Sequence, residues 1–357
     1  MSAQLRHFQT DSNSKYLLFA EGRFGPSTSK TANLIIRYQP EKVAAVIDSR
    51  YAGELSSSIL RDTVTDVPIV ASIEEGLKHE PTHCIIGVAP SGGQLPQEWR
   101  DEIKVAITSG LHVVSGLHQY LAEETELRNI ASESGSELID LRNPPDFSLL
   151  SEGSWRERNI PVVMSIGSDS AVGKLTGAWE LKRQLEKRGH SVGFVATGQT
   201  GILINGSGLV IDAIRGDFMS AAVEMLIDYQ AEHQPDVIIV EGQGSIYHEA
   251  FSGVTMSLLH GTMPDSFLFM HRPGRQRNDY DFKLPPLRDM INDYEALIEW
   301  FKPVNTLGIA LDTSQYDDDT AEGMCREVRH ITGLDTTDLV RFPEDQAIDS
   351  MIKRLRL

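Results

Sequence analysis

Between an apolar run, VVMSI over 162–166, and an amphipathic one stands the segment Gly167-Ser168-Asp169-Ser170-Ala171-Val172-Gly173-Lys174. Its residue types and spacing suit the wrapping of a phosphate. Consecutive backbone N–H groups face the anion, Gly173 lets the main chain approach closely, Lys174 supplies a cation, and the following helix adds the partial positive charge of its N-terminus. The strand–loop–helix setting over residues 163–179 is the context such a motif needs. An incidental glycine turn into a helix would not explain the lysine, the glycine and both flanking elements together. Two departures narrow the chemistry. Ser168 occupies the usual first-glycine place, six before the lysine, and Leu175 follows Lys174 where a Ser or Thr ordinarily ligates magnesium. Thr176, one place later, could still reach a phosphate. Residues Gly167 through Thr176 therefore read as a phosphate-binding set without the metal hydroxyl.

Other polar clusters stand at the ends of apolar runs. DVIIV (236–240) ends in Glu241-Gly242-Gln243-Gly244-Ser245, facing the crevice where α/β proteins bind ligands. Glu241 suits a base or a metal ligand there, and equally a carboxylate that caps a turn. Thr197-Gly198-Gln199-Thr200-Gly201 follows another strand end and fits ligand contact or a tight turn. SFLFM (266–270) runs into His271-Arg272-Pro273-Gly274-Arg275-Gln276-Arg277. His271 is a candidate acid–base group, since the unperturbed pKa of histidine is suitable, and arginines pair bidentately with carboxylate or phosphate. The competing reading is a solvated basic loop. Asp212, Arg215 and Asp217 form a further polar cluster with no assigned role.

In the first half the GxGxxG fingerprint is absent, so a dinucleotide site of the usual form is unsupported. Two loops still resemble anion sites: Gly25 to Thr31, with Lys30 opening a helix, and Ser91-Gly92-Gly93 after the strand HCIIGV. Asp48-Ser49-Arg50 follows VAAVID in the same manner, and His112 and His118 flank another strand end. Turn chemistry alone would account for each of these.

The elements that position these groups alternate. Strands are expected at 16–19, 43–48, 69–72, 83–88, 111–114 and 137–141, with helices at Gln97–Ser109 and 115–135. The Pro- and Ser-rich stretch 142–161 reads as a connection. A second set of strands follows at 162–166, 192–196, 236–240, 266–270 and 306–311, apolar throughout as in a sheet covered on both faces. This βαβ alternation predicts an α/β protein with parallel sheets in two domains, 1–146 and 147–357.

With 33 Lys+Arg against 51 Asp+Glu, the net charge is −18. Such a surface repels nucleic acid and anionic membranes. The 2 cysteines, Cys84 and Cys325, form no CxxC, so neither a disulfide framework nor a zinc site is suggested and no metal ligands are assigned. The N-terminus lacks the apolar core of a signal peptide, and no run approaches the roughly 20 apolar residues of a membrane span. A cytoplasmic protein is expected.

The GSDSAVGK loop and the EGQGS turn resemble those of dethiobiotin synthetase and its relatives, with their G-x-D-x-x-V-G-K loop and VEG strand end. More closely, the whole chain resembles a two-domain family long labelled as of unknown function. The matching segments are SKTA, VIDSRYAG, GVAPSGGQLP, SGLHVVSGLHQYL, DLRNPP, GSDSAVGKLT, EGQGS and HRPGR, nearly the full length. The resemblance implies an N-terminal Rossmann-like domain and a C-terminal P-loop NTPase-like domain with a doubly wound sheet. Some members are D-glutamate N-acetyltransferases. It therefore implies transfer of acetyl from acetyl-CoA to the amino group of an acidic D-amino acid, in D-amino-acid catabolism. In that reading the phosphate loop holds CoA, Lys174, Glu241 and His271 are the catalytic candidates, and Arg272, Arg277, Gln243, Gly244, Lys30, Ser91 and Gly92 hold the amino acid. A homodimer or higher homo-oligomer is expected. The alternatives are an ATP-dependent ligase or kinase of the dethiobiotin synthetase type, in which Asp169 and Glu241 serve Mg-ATP, or a nucleotide-binding protein without catalysis. Leu175 weighs against the former and the arginine run against the latter.

Overall fold

The computed structural model describes residues 6–8, 13–60 and 65–357. Contacts divide the chain into two units, one of Arg6–Pro145 with Ile202–Ala213, the other built on Asp146–Gly201 and Ile214–Leu357. Specific long-range pairings hold 202–213 in the first unit. Ser207 and Gly208 pair antiparallel with His7 and Arg6, Gln39 Nε2 donates to the Ile204 carbonyl at 3.1 Å, and Asp212 pairs with Arg142. The polar cluster around Asp212 is thus an anchor for this segment.

In the first unit, β1 (Tyr16–Phe19), β2 (Val43–Ile47), β3 (Ile69–Val70), β4 (His83–Ile86), β5 (His112–Ser115) and β6 (Leu138–Asp140) form a parallel sheet. Their order is β3-β2-β1-β4-β5-β6. That is the doubly wound arrangement of Rossmann-like domains, with its switch point between β1 and β4. Helices α1 (Lys30–Tyr38) and α2 (Arg100–Thr108) bury Ala32, Leu34, Ile35 and Ile36, and Ile103, Ala106 and Ile107. The helix expected over 115–135 is shorter. Asp140 accepts from the amides of Leu121 and Ala122 at 3.0 and 2.9 Å, holding that stretch in a turn, and α3 starts only at Thr125 and ends at Ser134.

The second unit holds β7 (Val162–Gly167), β8 (Val192–Val195), β9 (Val237–Val240), β10 (Ser266–His271), β11 (Asn305–Leu311) and β12 (Thr336–Thr337). All are parallel, in the order β12-β11-β10-β7-β9-β8. Strand β12 has two residues, too few to leave a pattern in the sequence. Every residue of β7, β9 and β10 is buried, as their unbroken apolar character requires in a covered parallel sheet. Helices α4 (Lys174–Lys187), α5 (Gln199–Asn205), α6 (Met219–Ala231), α7 (Ser252–Thr262), α8 (Leu287–Glu299) and α9 (Asp318–Thr332) make the crossovers.

Register brings the chemistry together. Gly167 lies opposite Met270, and His271 opposite Leu311, so the phosphate loop, Glu241, His271 and Asp312 all leave the sheet at its C-terminal edge. At this edge Gly242 crosses β7 so closely that a Cβ there would stand 1.7 Å from the Ser165 carbonyl oxygen, while its amide donates to Ser165 Oγ at 2.9 Å. The obstacle is main chain and cannot swing aside. Gly242→Ala is therefore expected to cost about 3 kcal/mol or more of folding stability. Urea denaturation followed by circular dichroism measures it, and an unchanged midpoint would refute the crossing geometry.

Candidate functional site: a phosphate loop at the sheet edge

The loop is pinned at its start by Ser168 N, which donates to the Met270 carbonyl at 3.0 Å. It then turns through two residues of positive φ, Ala171 at 52° and Gly173 at 92°. Alternation of left- and right-handed residues points successive amides inward, the geometry of an anion nest. Gly173 caps α4 without a side-chain hydrogen bond, and a helix start of this kind suits an anion. Lys174 is buried, and its Nζ donates to the Asp169 carbonyl at 2.7 Å, folding the cation back over the loop. Leu175 is 2% exposed and belongs to the core. The position that offers a metal hydroxyl in related loops is here an apolar packing contact. Thr176 is half-buried beside it.

Asp169 is buried, with one carboxylate oxygen accepting from Ser170 N at 2.7 Å and the other from Arg275 Nε. Arg275 continues through Nη2 to Asp279 at 2.8 Å. Of the three arginines in the 272–277 run, Arg275 is thus the one that touches the phosphate loop. Arg272 pairs with Asp312, its Nε at 2.9 Å. Arg277 turns to Asp281 at 3.2 Å across a small surface hairpin and is half-exposed. The expectation that Arg272 and Arg277 are the anion-binding pair passes over Arg275. Spacing alone did not indicate which of the three arginines contacts Asp169.

His271 sits beneath the loop with Nδ1 2.9 Å from Ser168 Oγ. Burial pushes its pKa down to about 4, so the ring is neutral at physiological pH. Glu241 is buried, and its Oε2 accepts from the amides of Thr197 at 3.0 Å and Gly198 at 3.3 Å. Its carboxylate secures the turn that opens α5, the capping role open to it from the sequence. Gln243 Nε2 donates to the Thr197 carbonyl and at 3.2 Å to its hydroxyl, joining the Gly198 and Gly244 turns. Below them Tyr294 Oη donates to the Gly167 carbonyl at 3.1 Å and receives Ile246 N at 3.1 Å. Burial raises that phenol to about 12. Tyr294, from α8, ties the loop to the 245–247 turn; nothing in its sequence neighbourhood singled it out.

Lys30, Ser91 and Gly92 lie in the first unit, at the ends of β1 and β4. Lys30 opens α1 and is exposed, while the preceding loop closes on itself through Ser29 Oγ, which accepts from Gly25 N at 3.0 Å. The Ser91 side chain lies outside the described residues. Asp48 is an anchor: burial raises its carboxyl, but hydrogen bonds from Arg50 and from Phe24 N at 2.7 Å outweigh that and hold its pKa below the usual range. Among the described residues, no helix is long and apolar enough to cross a membrane.

Two outcomes follow from this geometry. Arg275→Ala leaves the Asp169 carboxylate buried without its cation and is expected to cost about 3 kcal/mol or more, most of it recovered in the double variant with Asp169→Asn. Equal losses in single and double variants, measured by urea denaturation, would show the pair to be uncoupled. For His271 the folded value lies below the ordinary one of about 6.5, so the unfolded chain binds the extra proton between the two. Its stabilising share is full above about pH 6.5 and is lost as pH falls toward 4, amounting to about 3 kcal/mol. In His271→Gln the stability–pH curve should be flatter over that window than in the wild type; parallel curves would refute the assignment.

Comparison with known proteins gives a consistent family. The description "Domain of unknown function (DUF1611_C) P-loop domain" matches residues 149–348, and "Domain of unknown function (DUF1611_N) Rossmann-like domain" matches residues 49–144. The chain is 33% identical over 283 residues to a D-glutamate N-acetyltransferase of Tritonibacter scottomollicae, covering 78% of this chain and 84% of that one. It is also 33% identical over 287 residues to a D-glutamate N-acetyltransferase of a Pseudoalteromonas species, covering 80% and 84%. A crystal structure of a DUF1611 family protein from Anabaena variabilis aligns with a TM-score of 0.90 at 32% identity, over 96% of this chain and 100% of that one.

Proposed function

The chain belongs to the DUF1611 family, and from that premise we propose that it moves the acetyl group of acetyl-CoA onto the amino group of D-glutamate or a similar acidic D-amino acid. The observation that carries this is the 33% identity, over at least 78% of the chain, to two proteins named D-glutamate N-acetyltransferase. The phosphate loop supports it. Coenzyme A presents a pyrophosphate and a 3′-phosphate, which need amides and a cation but no hydrolysing metal. The loop supplies Lys174, the uncapped start of α4 and the two positive-φ residues, and it has Leu175 in the core instead of a metal hydroxyl. A ligase or kinase would have to bind Mg-ATP with that hydroxyl replaced. In this reading the enzyme works in the cytoplasm on acetyl-CoA and a free amino acid.

The test is direct. Protein mixed with D-glutamate and acetyl-CoA should release thiol in step with an N-acetyl product seen by mass spectrometry. Absence of turnover on every D- and L-amino acid tried, together with Mg-dependent ATP hydrolysis, would overturn the reading. Lys174→Ala should weaken acetyl-CoA binding by about 10-fold to 100-fold, the usual worth of a hydrogen bond to a charged group. Unchanged affinity by calorimetry would place CoA elsewhere.

A further inference from the structure

Acetylation of an amine needs a proton acceptor, and neither group first considered is free for it. Glu241 accepts two backbone amides, and His271 is a weak base, at about 4, bonded to the phosphate loop itself. A third group stands next to them. The chain leaving Ser245 turns back at His248, whose amide donates to the Ser245 carbonyl at 3.0 Å. The Ser245 hydroxyl in turn reaches the Ser168 carbonyl of the phosphate loop at 3.4 Å.

The His248 ring is 1% exposed, and neither of its nitrogens has a hydrogen-bond partner among the described residues. A buried imidazole so placed is unusual, because both nitrogens are ordinarily satisfied. Its nearest charge is Asp279 Oδ2, 3.9 Å from Nε2. Asp279 is the residue that receives Arg275, and Arg275 holds Asp169, so the histidine, its carboxylate and the phosphate loop are joined in one chain of contacts. Two aromatic rings cover the imidazole: Phe251 stacks at 4.4 Å and Tyr280 meets it edge-on at 5.3 Å. Both covers are themselves at the surface, 47% and 61% exposed. Exposed side chains of this kind change rotamer within nanoseconds. Glu249, the next residue in the chain, takes a bond from Asn278 Nδ2 at 2.8 Å. Beyond it Tyr247 donates its hydroxyl to Asp293.

We propose that His248 is the general base of the acetyl transfer, with Asp279 stabilising the imidazolium that forms. The proposal rests on the acetyltransferase reading. His248 Nε2 takes a proton from the substrate ammonium, leaving a neutral amine. The amine lone pair forms the C–N bond at the thioester carbonyl, and collapse of the tetrahedral adduct breaks the C–S bond. The proton shed by the acylated nitrogen goes to the departing thiolate, and His248 returns its own proton to solvent. An imidazole can take up and release a proton in turn, and the Asp279 carboxylate at 3.9 Å is placed to face the imidazolium.

The experiment compares wild type, His248→Gln and Asp279→Asn with D-glutamate and acetyl-CoA from about pH 6 to about pH 10. His248→Gln should lose about 100-fold or more in kcat and the acid limb of the profile, with acetyl-CoA affinity by calorimetry unchanged. Asp279→Asn removes a negative charge beside the ring, so the acid limb should move to lower pH with a smaller loss in kcat. Free imidazole should partly restore His248→Ala. Wild-type kcat and profile in His248→Gln would overturn this assignment while leaving the acetyltransferase reading intact. A wild-type protein inactive on every amino acid would overturn the reading beneath it. Should His248→Gln fail to fold, the exposed Asp279→Asn decides: an acid limb at the wild-type position overturns the proposal.

Discussion

A fully buried carboxylate inside a loop shaped for anions is the constraint on which the rest of the site depends. Asp169 would repel any phosphate brought to the loop and would be costly to bury alone. Arg275 offsets it, and in doing so ties the segment after β10 to the loop. The same arginine spends its other end on Asp279, which thereby comes to lie beside His248. One charge compensation therefore positions two loops. Lys174, whose Nζ lies on the Asp169 carbonyl, then stands beside a carboxylate whose charge is already answered.

That local arrangement resolves an apparent conflict between the composition and the ligand. A chain of net charge −18 repels polyanions over long range. A small phosphorylated carrier, however, is held by groups within a few ångströms, where amides in a low-dielectric pocket act far more strongly than screened surface charge. The acidic surface and the anion-binding loop therefore work at different distances. The former acts against long polyanions, and the latter is compatible with the single phosphorylated ligand proposed above.

Much of the architecture was legible in the sequence because parallel strands buried on both faces read as unbroken apolar runs. VVMSI, DVIIV and SFLFM each became a central strand within a residue or so. What escaped was set by contacts distant in sequence. The 115–135 stretch has helical spacing, yet Asp140 takes the amides of Leu121 and Ala122 and delays the helix to Thr125. The 202–213 excursion depends on Asp212 meeting Arg142, 70 residues away in the chain. In the site, the strand–turn–helix conformation of 162–187 was legible because its pattern is local. The ranking of Arg275 over Arg277, the commitment of Glu241 to two amides and the contact of Tyr294 with Gly167 all depend on which strands lie side by side, which residue types alone do not encode.

Leu175 shows how a single position redirects a scaffold. In a strand–loop–helix phosphate site the residue after the lysine starts the helix and faces either the ligand's metal or the sheet. A hydroxyl there needs a polar neighbour, while a leucine at 2% exposure packs into the core. Once that choice is made, phosphoryl transfer loses the ion that neutralises developing charge on its oxygens. The loop keeps what does not depend on the ion: amide donors, a lysine and a helix terminus. Such groups suit a phosphate that is held and not transferred, as the proposed acetyl-CoA donor requires, with its reactive bond far from its phosphates. In the proposed reaction the reacting groups come from elsewhere, and the loops after β9 and β10, which leave the same sheet edge and are joined by Asn278 Nδ2 donating to the Tyr247 carbonyl, carry the base inferred above.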